Sequence, residues 1–419
     1  MRLPDFRAGE AAAALMARLD ALARFSDEEG HLARTFLSPA HRCAADRVKA
    51  WMEEAGMTAR IDAIGNVVGR YEGRRPGAPA LLIGSHLDTV RRAGRYDGSF
   101  GVLTAVAAVA ELSARGMRFE TAVEVIAFGD EEGVRFPTTL SGSRAIAGTF
   151  DAAALDLVDD RGITLRDALA AFGCDPAAIG AVARRPEDIL GYVEVHIEQG
   201  PVLEREGLAV GVVTAIAGAS RAAIDVAGEA GHAGTVPMGL RRDALAAAAE
   251  MVLAVESTGR SAPDLVATVG RLVAEPGAVN VIPGRAAFTV DLRHPEDAVR
   301  EAAIAALEGR IREIATRRGV RAEIRPTHAA RATRCDPGMI AALSRAVAEA
   351  GLPVRLLPSG AGHDAMAVAA LCPVGMLFVR CAGGVSHDPA EAVDQADAGA
   401  ALDVLLRFLL NVLHAGAVR

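Results

Sequence analysis

Aromatic residues, excess positive charge and long apolar runs are all scarce in this chain of 419 residues, and each scarcity excludes a class of protein. Aromatic residues make up 4% of the sequence, which argues against the stacking platforms that bind single-stranded nucleic acid. The net charge is −8, so no basic surface for nucleic acid is indicated. No run of 18 uncharged apolar residues occurs, and we therefore expect no membrane-spanning helix.

Cysteine pairs are also missing. The five cysteines are widely spaced and no Cys-x-x-Cys motif occurs, so neither a disulfide framework nor a thiolate zinc site is expected. Residues Met1–Phe6 contain no apolar segment of a secretory signal. Together these features predict a cytoplasmic protein with reduced cysteines.

What the chain does contain is a regular alternation of strand and helix patterns, which predicts an α/β fold with a mostly parallel sheet. The apolar run 80–84, for example, has the length of a buried strand. Residues 214–330 differ, because their predicted order is strand, helix, two strands, helix and strand, the β-α-β-β-α-β order of ferredoxin-like folds. We therefore expect a smaller domain over 214–330 inserted into a larger one formed by 1–213 and 331–419.

Histidines and acids cluster where predicted strands end. His86 and Asp88 point to the same side of an extended segment, and a carboxylate in that position can orient a metal-binding imidazole. Asp97 lies in a glycine-rich turn before a helix, where it could instead be the helix N-cap. The run Asp130–Glu132 ends an apolar strand, and three adjacent carboxylates repel one another unless a cation is present.

Two more histidines extend this pattern. His196 alternates with Glu194 and Glu198 along another predicted strand, and His387 lies in a loop after the predicted strand 375–380. Three histidines with several carboxylates supply the nitrogen and oxygen ligands that suit zinc, manganese or cobalt. On the residues alone, a solvated acidic loop and an exposed loop histidine remain as alternatives.

In this order, these segments resemble the M20 metallopeptidase-type amidohydrolases, in particular the group of allantoate amidohydrolases, N-carbamoyl-L-amino-acid hydrolases and β-ureidopropionases. The resemblance runs from about residue 35 to 415 and includes the motifs Gly231–Met238, Asn280–Gly284, Asp291–His294 and Ser359–Ala365. It implies a di-metal catalytic domain, an inserted dimerisation or lid domain, and therefore a homodimer. It also implies two divalent ions per subunit, zinc or manganese, with cobalt as an alternative.

The resemblance also implies how the ions are held. Asp97 would bridge the two ions, with His86 and His196 completing the site of one ion. Glu132 and His387 would complete the site of the other ion.

Further residues are assigned to catalysis and substrate binding by the same resemblance. Glu131 would be the general base that takes a proton from water and passes it to the leaving nitrogen, and Asp88 would orient His86. His232 would stabilise the oxyanion across a dimer interface, and Arg293 would bind the substrate carboxylate. Other positions are implied to contact the substrate: Gln199, Arg221, Asn280, Gly360 and Ala361.

The implied reaction is hydrolysis of a ureido C–N bond in a small carboxylated molecule, with release of ammonia and carbon dioxide. The segment Arg135–Ser143 is similar to its counterpart in allantoate enzymes, which favours allantoate. The loop Val379–Gly384 departs from the commoner family pattern, in which proline and serine precede the glycine, and this leaves the side-chain specificity open. An N-carbamoyl-L-amino-acid hydrolase or β-ureidopropionase is the alternative. An M20-type aminopeptidase or deacylase, or a metal-free binding module, is more remote, since many of the former carry an acid at the position of His196.

Overall fold

The structure is a computed structural model that describes residues 8–415, and the ends of the predicted catalytic domain, residues 1–7 and 416–419, lie outside it. Its helices are Ala8–Leu22 (α1), Pro39–Glu54 (α2), Ser99–Ala114 (α3), Ser141–Ile146 (α4), Leu165–Phe172 (α5), Val202–Glu206 (α6), Ala244–Gly259 (α7), Asp297–Arg318 (α8), Pro337–Glu349 (α9), Ala365–Val368 (α10) and Gln395–Ala415 (α11). None of these described helices combines the length and apolar character that crossing a bilayer requires.

The described strands are distributed over three sheets. They are Thr58–Ile61 (β1), Val67–Tyr71 (β2), Ala80–His86 (β3), Ala122–Phe128 (β4), Ile189–Ile197 (β5), Val210–Ile216 (β6), Gly218–Ala227 (β7), Gly231–His232 (β8), Val266–Thr268 (β9), Leu272–Glu275 (β10), Val281–Ile282 (β11), Arg285–His294 (β12), Arg321–Ala330 (β13), Thr333–Arg334 (β14), Leu356–Ser359 (β15) and Val374–Val379 (β16).

The chain forms two compact units. The larger unit contains the residues up to Thr214, Cys335–Leu357 and the residues from Gly362 onward. The smaller unit contains Ala215–Arg334 and Pro358–Ala361. The division predicted from the sequence placed that last segment in the other domain.

The sheet of the larger unit has a parallel centre, in the order β4-β3-β5-β16. Antiparallel strands extend it on both sides, β2 and β1 beyond β4, and β6 beyond β16. Every residue of β3 and β4 is buried, as expected for strands covered on both faces. The prediction of an α/β fold with a mostly parallel central sheet is confirmed.

The acids and histidines predicted as ligands lie at the carboxyl ends of the central strands or in the segments that follow them. The strands end at His86, Phe128, Ile197 and Val379. Because the four strands run in the same direction, these ends meet at one edge of the sheet, and the loops that follow them are neighbours.

The smaller unit contains an antiparallel sheet in the order β10-β12-β7-β13, with β9 also paired to β12. Alternate residues of β7 and β12, such as Ile224 and Phe288, are buried in a core with α7 and α8. The residues between them lie on the other face, because side chains alternate along a strand, and include charged residues such as Asp225 and Arg285. The single strand predicted over 265–273 is wrong: the sheet contains β9 and β10 instead, interrupted around Gly270, where a glycine weakens strand pairing.

Candidate metal centre

Two buried histidines face each other across neighbouring strands. The Nδ1 atom of His86 lies 2.9 Å from the carbonyl oxygen of Asp88, and Nδ1 of His196 lies 2.9 Å from that of Ile197. Because a carbonyl oxygen only accepts, Nδ1 carries a proton in both rings. The Nε2 atoms of the two rings are therefore free of that proton, and they lie 3.4 Å apart.

Asp97 stands between these two rings. Its Oδ1 atom is 3.3 Å from Nε2 of His86 and 3.1 Å from Nε2 of His196. Among residues 8–415, no group has hydrogen-bond geometry towards this buried oxygen. Burial lowers the pKa of His86, but Asp97, Glu131 and Glu132 more than offset this and raise it well above its usual value. The surroundings thus favour positive charge, which a metal ion would supply.

A second group shares the same aspartate. Nε2 of His387 is 3.2 Å from Oδ2 of Asp97 and 3.7 Å from Oε2 of Glu132. Burial and the nearby Asp97 carboxylate raise the pKa of Glu132 to about 7. Its Oε1 atom is buried without a hydrogen-bond partner among the described residues. One oxygen of Asp97 therefore faces each group, which is the arrangement that a bridging ligand needs.

The structure brings all five predicted ligands together. Within each group, His86–Asp97–His196 and Asp97–Glu132–His387, the potential ligand atoms lie within 4.8 Å of one another. We refer to these five residues as the His/carboxylate cluster. Its nitrogen and oxygen donors, with two buried oxygens lacking partners, fit divalent metal ions.

Asp97 is not the N-cap of α3, so that alternative is wrong. The N-cap is Gly98, which has no side chain to contribute and a left-handed φ of 61°. A Cβ atom on Gly98 would lie 2.5 Å from ring atoms of His86. The glycine thus allows the turn to pass close to the imidazole, and the Asp97 side chain is directed to the histidines instead.

Asp88 contacts His86 in another way than the sequence indicates. Its carboxylate accepts hydrogen bonds from the backbone N–H groups of Glu131 (3.2 Å) and Glu132 (3.3 Å), while its carbonyl oxygen contacts the ring. The prediction that its carboxylate orients His86 is wrong because β3 ends at His86, and the alternation of side chains ends with it. Asp88 instead holds the backbone on which Glu131 and Glu132 lie.

Two acids near His196 have structural partners. Glu194 accepts hydrogen bonds from Ser85 Oγ (3.0 Å) and from the N–H of Ala365 (2.9 Å). Glu198 accepts two backbone N–H groups at the start of α6, at 2.7 and 2.9 Å. Neither contributes to the His/carboxylate cluster, although both alternate with His196 in the sequence.

The residues predicted to bind substrate occupy several places. In the larger unit, Gln199 donates from Nε2 to Oδ2 of Asp97 at 2.9 Å. In the smaller unit, the exposed His232 lies beside Asn280, because β8 pairs with β11 and the carbonyl of Asn280 accepts from the N–H of Ala233. Ala361, also in the smaller unit, donates its N–H to Ser359 Oγ at 3.1 Å.

Arg293 belongs to a network in the smaller unit that the sequence did not reveal. Its Nε and Nη2 atoms donate to the two oxygens of Asp291 at 2.8 and 2.9 Å, and Nη1 donates to the carbonyl of Gly360 at 2.8 Å. Arg221 donates to the same carboxylate at 2.8 Å. Although burial raises the pKa of Asp291, the two arginines lower it below its usual value. We call Arg221, Asp291 and Arg293 the arginine network.

Comparison with known proteins identifies the family of the chain. Residues 82–411 match Peptidase family M20/M25/M40. The chain is 45% identical to a probable allantoate deiminase of Oryza sativa subsp. japonica, over 96% of this chain and 88% of the relative. It is 43% identical to an N-carbamoyl-L-amino acid amidohydrolase of Geobacillus stearothermophilus, over 90% of this chain and 92% of the relative.

Among solved structures, a hydantoinase/carbamoylase family amidase from Burkholderia multivorans is similar with a TM-score of 0.90. It is 35% identical and covers 96% of this chain and 97% of its own. The chain belongs to peptidase family M20/M25/M40. The family predicted from the motifs is confirmed.

Within this M20 chain, three residues lie near predicted site residues but had no predicted role. Asp291 is spaced two residues from Arg293, the spacing that places two side chains on one face of a strand. Ser386 and Glu391 flank His387 and make hydrogen bonds to the turn that carries Asp97. An acid or hydroxyl one to four residues from a predicted site residue was the available signal.

Proposed function

We propose that this M20 protein hydrolyses the ureido C–N bond of a small carboxylated substrate and that the substrate is allantoate. The observation that carries the proposal is the pair of ligand groups that share Asp97, with the carboxyl group of Glu131 beside them. The likeness to plant allantoate deiminases over most of both chains supports the choice of substrate.

The proposed ions are two per subunit, zinc or manganese, with cobalt as the alternative. His86, Asp97 and His196 would hold one ion, and Asp97, Glu132 and His387 the other. Bound there, the ions would supply Lewis acidity that polarises the ureido carbonyl and acidifies water.

The proton transfers would be made by Glu131. It takes a proton from the attacking water and delivers it to the nitrogen that leaves as ammonia, and the remaining carbamate loses carbon dioxide. Asp88 supports this role through the backbone, because it holds the N–H groups of Glu131 and Glu132.

The substrate carboxylate would be bound by Arg293, and His232 would stabilise the oxyanion. The predicted contacts of Gln199, Arg221, Asn280, Gly360 and Ala361 with the substrate are retained. The larger unit would be the catalytic domain and the smaller unit the ferredoxin-like dimerisation or lid domain of a homodimer. The cytoplasmic location and this assembly stay predictions from the sequence.

A second candidate is an N-carbamoyl-L-amino-acid hydrolase or β-ureidopropionase. The likeness to the Geobacillus stearothermophilus enzyme favours it. All these candidate substrates combine a ureido group with a carboxylate and undergo the same bond cleavage, so they differ in the atoms that join and flank the two groups.

The test is ammonia release by protein reconstituted with manganese or zinc. Allantoate is compared with a panel of N-carbamoyl-L-amino acids and with N-acetyl-amino acids, whose cleavage is followed by release of the free amine. Chelator-sensitive release from allantoate alone supports the proposal, and preference for carbamoyl-amino acids replaces the substrate. Cleavage of acetyl compounds without activity on any ureido compound overturns the ureido hydrolase itself.

A further inference from the structure

Glu391 is a buried acid that connects two loops far apart in the sequence. Only 3% of its surface is exposed. Its Oε1 atom accepts hydrogen bonds from the backbone N–H groups of Tyr96 (2.7 Å) and Asp97 (3.1 Å). Its Oε2 atom accepts from the hydroxyl of Ser386 at 3.1 Å. One carboxylate therefore holds both the turn of Asp97 and the loop of His387.

Ser386 extends this connection to the Asp97 side chain. Its hydroxyl also lies 2.9 Å from Oδ2 of Asp97, and the amide of Gln199 donates to both, at 3.1 Å and 2.9 Å. The hydroxyl has one proton, which it shares between two carboxylates. The amide of Gln199 has two N–H bonds, so it can donate to the hydroxyl oxygen and to Oδ2 of Asp97 at the same time.

The turn before Asp97 is built around this acid. A Cβ atom on Gly94 would lie 2.2 Å from the carboxyl group of Glu391, so the backbone passes directly over it. A smaller side chain at 391 would leave a space there and release two backbone N–H groups from their acceptor.

We propose that Glu391 is a positioning residue of the metal centre, which fixes the distance between Asp97 and His387. This rests on the metal centre of the proposed function. His86 and His196 lie on buried strands that hold them independently. His387 is different, because its side chain is 50% exposed and its backbone has a left-handed φ of 56°. The ion bound by Asp97, Glu132 and His387 therefore depends on Glu391 more than the other ion does.

The test is calorimetric titration of the metal-free full chain with Mn²⁺, which measures the affinity of each ion without using activity. Removing a residue that orients ligands costs roughly 10–100-fold in metal affinity. We expect Glu391→Ala to weaken binding of the second ion, the one assigned to Asp97, Glu132 and His387, by about that factor. Binding of the first ion, assigned to His86, Asp97 and His196, should change much less. Glu391→Gln should retain most of the affinity, because its amide oxygen can still accept the two backbone N–H groups.

Asp159 provides a matched control. It is 6% exposed, accepts the backbone N–H groups of Arg161 (3.0 Å) and Ile163 (2.9 Å), and also accepts from Arg135 (3.1 Å). Asp159→Ala should lower the melting temperature as Glu391→Ala does, because each variant loses the acceptor of two backbone N–H groups and of one side-chain donor. It should nevertheless bind both ions with wild-type affinity.

The outcomes separate the two proposals. If the wild type binds two ions and Glu391→Ala binds both equally well, the role of Glu391 is overturned and the metal centre stands. If the wild type binds no ion, the metal centre fails and the role of Glu391 with it. If Glu391→Ala does not fold, Ser386→Ala decides: selective loss of the second ion supports the role, and unchanged binding of both overturns it.

Discussion

The His/carboxylate cluster of the larger unit and the arginine network of the smaller unit differ in how deeply their charged side chains are buried and in whether these side chains have partners of opposite charge. In the cluster, the side chains of His86, His196 and Asp97 are at most 3% exposed, and Oδ1 of Asp97 has no hydrogen-bond donor among the described residues. In the network, Asp291 is 29% exposed and accepts from two arginines.

The difference indicates what each region still needs. Burying polar groups without partners is costly, so the cluster should gain stability when a cation binds. The network already pairs its charges, and partly exposed ion pairs contribute little to stability. Its functional contribution would come from the way in which Asp291 presents Arg293.

The largest effect is expected from Asp97→Asn, which removes the carboxylate that both ligand groups share. The wild type should be stabilised by about 2.7 kcal/mol when metal is present at 100 times its dissociation constant. The variant should lose this response and its activity, because an amide oxygen is a weaker ligand for a divalent ion. Thermal melting with and without metal measures both proteins, and an undiminished response of the variant would contradict a bridging role.

Glu131→Gln should reduce kcat about 10²–10⁴-fold, the usual contribution of a general base. The number of bound ions should stay at the wild-type value, since the variant keeps all five residues of the His/carboxylate cluster. Kinetics together with metal analysis distinguish the roles of the two adjacent glutamates. A loss of bound metal would show that Glu131 is a ligand.

Arg293→Lys tests the other side of the comparison. A lysine cannot form the paired hydrogen bonds of a guanidinium, so KM for a carboxylated substrate should rise roughly 10–100-fold. Arg285 is a matched control, because it lies on the same strand and binds Asp225 through two bonds of 2.7 and 2.6 Å. Arg285→Lys should leave KM unchanged, and equal effects of both variants would argue against carboxylate binding by Arg293.

The smallest effect is expected from Asp291→Asn. The variant retains one acceptor for Arg293 but loses the charge that holds both arginines, so KM should rise roughly 2–10-fold. Its urea midpoint should change little, since the network is partly exposed. A large loss of stability with unchanged KM would show that the network is structural.

The residues of β3, β5 and β16 show how far local pattern predicts this fold. Their residue patterns indicated strands, and His196 was assigned to the strand that carries it, whereas β3 extends two residues beyond the predicted strand 80–84 and includes His86. A strand that is buried on both faces needs apolar side chains at nearly every position, so its signal is strong. The strand predicted over 265–273 failed because it lies at the edge of a sheet, where an interruption at Gly270 is tolerated.

The loops after the strands show where local pattern stops. Asp130, Gln199 and His387 have left-handed φ values of 67°, 55° and 56°, which no periodicity indicates. The rules for strands assigned the Asp88 carboxylate to His86, and the rules for helix caps gave an N-cap as the alternative for Asp97, but both carboxylates have other partners. In a loop the direction of a side chain depends on backbone turns that distant residues stabilise.

By itself, the sequence determined the residue types of the site, the strands that end beside them and the family to which the chain belongs. Only the tertiary structure decided which atoms meet. Ser386 contacts Asp97 across 289 residues, and Arg221 contacts Asp291 across 70. Such contacts leave no local signal, because they form only when parallel strands distant in the sequence are placed in one sheet, or when β7 and β12 pair in register.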